Sequence, residues 1–115
     1  MTGKQHSVRI LRRAQNDLVE IYRYILSDRP DAADRFVGKL VDAIESLEIN
    51  PARGTVPRDQ RLRDLGYRVL MQGDHLVFYK VLPRQVRVYR MLHGRRRYAD
   101  LSMTTQPRIT PRGSC

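Results

Sequence analysis

Cysteine is nearly missing from this 115-residue chain: Cys115 stands alone, so no intrachain disulfide framework can form. Long apolar runs are missing as well. No stretch approaches the ~20 residues that a membrane-spanning helix needs. The opening Met1-Thr2-Gly3-Lys4-Gln5-His6 lacks the apolar core of a secretory signal. A cytoplasmic protein of one compact domain, with no membrane partner, is the expectation. His6, His75 and His93 show no metal-ligand spacing and there is no cysteine pair, so neither a metal nor a cofactor is expected.

Acidic residues are also scarce, but only in one half of the chain. The net charge is +10, and it is unevenly spread. Residues 14–50 carry eight acids against the four bases Arg23, Arg29, Arg35 and Lys39. Residues 58–97 carry eleven bases against only Asp59, Asp64 and Asp74. A basic half of this kind is either a solvated surface or an attractor of a polyanion, whether nucleic acid or an acidic protein segment. Its bases are interleaved with Tyr67, Tyr79, Tyr89, His93 and Tyr98, as in a binding surface.

Hydrophobic periodicity sets out the elements. Ser7 to Leu11 alternates Val8 and Ile10 against Arg9, a short strand. Ala14, Leu18, Ile21, Tyr22 and Ile25 then form one stripe on a helix of about three to four turns. Pro30 suits the first turn of a second helix, whose stripe is Ala33, Phe36, Val37, Leu40, Ile44 and Leu47. That helix ends before Asn50-Pro51, because a residue preceding proline is pushed out of the helical region. A loop follows, and from Leu62 the period changes to that of strands. Tyr67–Gln72, His75–Leu82 and Gln85–His93 are linked by Gly73-Asp74 and Pro83-Arg84, an antiparallel meander. The order β-α-α-β-β-β predicts an α+β domain over residues 7–101, a helix hairpin packed on a small, mainly antiparallel sheet. Residues 102–115 read as a disordered tail. In the strand from His75, Val77, Tyr79 and Val81 point one way while Leu76, Phe78 and Leu82 point the other. One helix hairpin covers one face, so the second face either is buried in a small core or needs a further segment or a partner.

Three segments carry a family resemblance: Arg61-Leu62-Arg63-Asp64-Leu65-Gly66-Tyr67-Arg68-Val69, Val77-Phe78-Tyr79-Lys80-Val81, and Val88-Tyr89-Arg90-Met91-Leu92-His93-Gly94-Arg95-Arg96. With the opening strand and acidic amphipathic helix, they resemble the RelE/ParE toxin superfamily across residues 7–98, and within it the ParE side. The resemblance implies a type II toxin–antitoxin system and a hetero-oligomer with a ParD-like antitoxin, whose acidic arm folds as it wraps the toxin. Two targets are implied. ParE-like toxins poison DNA gyrase, and RelE-like toxins cleave messenger RNA on the ribosome.

Metal-free RNA cleavage requires a general base, a general acid and several cations converging on one phosphate. Arg96 stands where the nuclease branch carries its C-terminal arginine. The arginine usual at the start of the Val-Phe-Tyr strand is replaced by Leu76, which cannot neutralise a phosphate. His93, Arg96 and Tyr98 are the catalytic candidates if the chain is a nuclease; His93 reads equally as a strand-end residue bonded to backbone. The Arg95-Arg96-Arg97 run reads either as a phosphate clamp or as a solvated face. The reading preferred here is a gyrase-poisoning toxin that acts by binding. Its expected target contacts are Arg61, Arg63, Arg68, Tyr79, Arg90, Arg95, Arg96 and Arg97. Its expected antitoxin contacts are Leu18, Tyr22 and Phe36, beside an open sheet face.

Overall fold

A computed structural model describes residues 6–94. The expected tail, the segment 95–101, and with them Arg95, Arg96, Arg97 and Tyr98, lie outside the described residues. The chain forms β1 (Ser7–Ile10), α1 (Arg12–Asp28), α2 (Pro30–Glu45), a 3-10 turn (Ser46–Glu48), α3 (Gln60–Asp64), β2 (Tyr67–Gln72), β3 (His75–Val81) and β4 (Gln85–His93). The three-strand meander and the helix hairpin are as the periodicity predicts.

Pro30 separates the helices. It bars Arg29 from helical geometry, and Arg29 sits at φ −139° and ψ 78° with its N–H donating to the Ile25 carbonyl. At 17 residues α1 is longer than the expected three to four turns. Its apolar stripe stops at Ile25, but the backbone stays helical until the proline intervenes. Tyr22 of α1 donates to Asp34 Oδ1 of α2 at 2.9 Å, a polar tie beside the apolar seam.

The sheet order is β1-β4-β3-β2. β2, β3 and β4 are antiparallel, with a register shift between Phe78 and Tyr79, while β1 runs parallel to β4 from Ser7 opposite Gln85 to Ile10 opposite Val88. Gly73 at φ +60° makes the tight link between β2 and β3, a conformation that glycine adopts without a side-chain clash.

Two clusters fill the two sheet faces. On the helical face Leu40, Ala43, Ile44 and Leu47 pack with Leu70, Val77, Tyr79, Val86, Val88 and Met91. On the other, Leu62, Tyr67, Leu76, Phe78 and Leu92 form a second cluster. Leu62 lies in α3 rather than in a strand. The sequence marks the loop but not this one-turn helix, which Asp59 caps by accepting from the Arg61 N–H at 2.8 Å. The expectation of an open second face is therefore corrected around Phe78, which is fully buried, with Leu76 and Leu92 each 5% exposed.

Tyr79 is also fully buried, so it is not a target contact. Its hydroxyl donates to the Pro51 carbonyl at 2.8 Å and accepts from the Gly54 N–H at 3.0 Å, holding the loop before α3 against the sheet. Gly54 has to be glycine there, since a Cβ would meet the Val69 carbonyl oxygen at 2.5 Å and the Tyr79 hydroxyl at 2.6 Å. Tyr79→Phe keeps the ring and leaves both loop groups without their partner. Chemical denaturation should show a loss of about 1–3 kcal/mol.

Candidate functional site

β4 is longer than its neighbour β1, and that difference organises the site. β1 pairs only as far as Val88, and α1 follows directly, its entry held by the Leu11 N–H donating to the Val88 carbonyl. Beyond that point a side chain takes the place of a strand. Asp17 of α1, 7% exposed, accepts from the Met91 backbone N–H at 3.0 Å and from Arg90 Nε at 2.8 Å through the same oxygen, Oδ2. One buried carboxylate thus satisfies an edge donor of the sheet and neutralises an arginine.

A cleft of about 580 Å³ opens beside this junction. One face of α1 lines it with Asp17, Glu20, Ile21 and Tyr24, and the ends of β3 and β4 supply His75 and the run Arg90 to His93. His75 and His93 are register partners, their rings edge to face at 5.2 Å, and Phe36 of α2 packs on His75 at 5.1 Å. Burial, followed by the neighbouring His93, lowers the His75 pKa below its ordinary 6.5 against an opposing pull from Asp74. His75 Nδ1 is buried with no hydrogen-bond partner among the described residues. His75 is thus a neutral imidazole at neutral pH, with its Nδ1 enclosed. Among the described residues, no group of three or more histidine, cysteine, aspartate or glutamate side chains is placed so that it could hold a metal ion.

The predicted site residues are scattered. Arg61 and Arg63 lie on α3, Arg61 ion-paired to Asp59 at 3.2 Å and Arg63 bonded to the Pro57 and Arg58 carbonyls. Arg68 donates to the Ala52 and Gly54 carbonyls, bracing the same loop that Tyr79 holds. Arg90, expected to face a target, has a side chain 11% exposed and paired with Asp17. Leu18 and Phe36 are half-buried against the helical-face cluster. Among the described residues of the predicted set, Arg90 and His93 line the cleft.

Three of the cleft's other residues were missed: Asp17, Tyr24 and His75. Asp17, Ile21 and Tyr24 share a helical face by their spacing, and Tyr24 is 72% exposed. The nearness of His75 to His93 follows from the meander once its register is known.

Two outcomes test this arrangement. Asp17→Ala strands the Arg90 guanidinium and the Met91 N–H, and should cost about 3–5 kcal/mol in a denaturant titration. Adding Arg90→Leu should recover part of that loss, because no buried charge is then left alone. For His75, the unfolded chain binds the proton more readily than the folded one. Its contribution to stability is therefore present above pH 6.5 and is lost as pH falls through the lowered folded-state pKa. Denaturation midpoints should drop between about pH 7 and pH 5, and less so in His75→Gln.

Comparison with known proteins agrees with the fold and extends it. A Pseudomonas aeruginosa structure described as a chromosomal ParDE toxin–antitoxin system superimposes with a TM-score of 0.66 at 20% identity, over 77% of this chain and 96% of that one. The Mycobacterium tuberculosis toxin–antitoxin complex RelBE2 gives 0.57 at 20% identity, over 78% of this chain and 92% of that one. The YoeB dimer of Staphylococcus aureus gives 0.53 at 17% identity, over 77% and 97%. At such identities the likeness is one of fold. Sequence similarity goes further: the Sinorhizobium fredii protein Y4kP is 32% identical over 89 residues, 77% of this chain and 88% of that one. Residues 8–98 match the family model of the ParE toxin of type II parDE toxin–antitoxin systems, and the chain belongs to that family.

Proposed function

We propose that this toxin is held by a ParD-like antitoxin in the cytoplasm and, once released, poisons DNA gyrase by binding rather than by hydrolysis. The observation that carries this reading is the engagement of the cations nearest the strand ends. Cleavage of RNA without a metal asks for several cations directed at one phosphate. Arg90 is instead neutralised by Asp17, and Arg68 is bonded to loop carbonyls. Leu76, at the position where the nuclease resemblance calls for arginine, lies in the second cluster opposite Leu92. Among the described residues, the strand ends beside the histidines thus hold apolar packing and an internal ion pair where converging charge would be needed.

The His75–His93 pair favours a second reading, ribosome-dependent cleavage of messenger RNA. A neutral imidazole beside an open cleft is the type of group that deprotonates a 2′-hydroxyl. His93 with Arg96 and Tyr98 would then be the catalytic set. For the antitoxin, the cleft beside α1, with Tyr24 at its rim and Leu18, Tyr22 and Phe36 on the hairpin seam, is the expected seat of an amphipathic arm.

A supercoiling and DNA-cleavage assay with purified gyrase separates the readings. The expected result is loss of supercoiling with accumulation of cleaved DNA, relieved by the antitoxin and unchanged in His93→Ala. Inert gyrase reactions, together with translation-dependent messenger RNA cleavage that falls by about 10²-fold or more in His93→Ala, would establish the nuclease instead.

A further inference from the structure

At the end of the sheet opposite the histidines, the register aligns cations from three neighbouring strands. Arg9 of β1 stands beside Arg87 of β4, Arg87 beside Lys80 of β3, and Lys80 beside Tyr67 of β2. Val8, Val86, Tyr79 and Val88, which flank these residues in sequence, pack in the helical-face cluster, so the alternation of the strands sends the cations to the other side. Arg9 and Arg87 are exposed and Lys80 is half-buried.

Like charges directly opposite one another on a sheet are destabilising. No carboxylate among the described residues relieves this row. Arg87 donates only to its neighbour Gln85, and Lys80 rests over two aromatic rings, 4.6 Å from the centre of Tyr67 and 5.2 Å from that of Tyr89. The row is therefore a site of positive charge that no group on the described residues neutralises.

We infer that Arg9, Arg87 and Lys80 form a contact surface for the phosphate backbone of a double-stranded nucleic acid. Strands lie about 4.8 Å apart, so the row spans about 10 Å, and that length of duplex axis carries about three phosphates on one strand. Two features favour this occupant over the alternatives. An acidic protein segment docks through apolar or aromatic anchors as well as charge, but Tyr67 is 6% exposed and packed edge to face on Tyr89. A single strand gains its affinity by stacking bases on open aromatic faces, and here Lys80 roofs both rings. Charge without an anchor or a stacking platform suits a duplex backbone, held in position with no reading of its sequence.

The test is fluorescence anisotropy of the purified full chain with a random-sequence DNA duplex, across a sodium chloride series. Each phosphate contact contributes about 0.9 to the slope of log K against log salt. The triple variant Arg9→Gln/Lys80→Gln/Arg87→Gln should lower that slope by about 2.7, and each single variant by about 0.9. A control triple of equal charge loss on the helix hairpin, Arg23→Gln/Arg35→Gln/Lys39→Gln, should change it by much less. An unchanged slope in the row variants, or an equal fall in the control, would overturn the inference. Polyglutamate serves as the competing anion: row variants that lose polyglutamate binding but keep the duplex slope would assign the row to an acidic protein and also overturn it. If the triple variant does not fold by circular dichroism, the single variants give the same decision.

Discussion

The arrangement of this domain depends on the Asp17 carboxylate. A strand of nine residues, β4, is paired on its outer side by a strand of only four, and the remaining edge needs some other acceptor for its backbone donors. Asp17 supplies it for Met91, and by taking Arg90 as well it keeps its own charge from being buried alone. Both bonds cross from α1 to β4, so they determine how the first helix lies over the sheet. The cleft beside α1 is a consequence of that placement.

Burial on both faces of β3 limits where polar function can be housed. Tyr79 faces the helices and Phe78 faces α3, and neither leaves a polar surface in the middle of the sheet. Chemistry is displaced to the strand ends. At one end stands the histidine pair with the cleft, and at the other the row of cations beside the Tyr67–Tyr89 rings. Burial, then the neighbouring Tyr89, pushes the Tyr67 hydroxyl up to about 12 against an opposing pull from Arg90, so it stays protonated and neutral at any physiological pH. The Tyr67 ring beneath Lys80 therefore offers its face to the ammonium without a competing phenolate.

The Pseudomonas aeruginosa and Mycobacterium tuberculosis toxin–antitoxin structures share this fold at about one residue in five. A scaffold conserved to that degree leaves function to the side chains at its strand ends. In this chain those positions hold Leu76, an Arg90 already paired within the domain, and two histidines in register. The proposed function rests on that combination rather than on the fold.

Much of the architecture was legible in the sequence, because it rests on local rules. Alternation with period two marked the strands to within a residue, and Pro30 and the glycine turn marked the breaks. Charge asymmetry between the halves was equally plain. Periodicity tells which residues share a face, but it does not tell which face is interior or which strand lies alongside. So Tyr79 read as a surface contact until the Pro51 carbonyl and the Gly54 N–H were brought to its hydroxyl, and the pairing of Arg90 with Asp17, 73 residues distant, was hidden. The parallel pairing of β1 with β4, the helix that carries Leu62, the meeting of His75 with His93 and the alignment of Arg9, Arg87 and Lys80 all required the tertiary structure. Each depends on how separate elements are packed and which residues are set opposite one another, and no local pattern of residues encodes that.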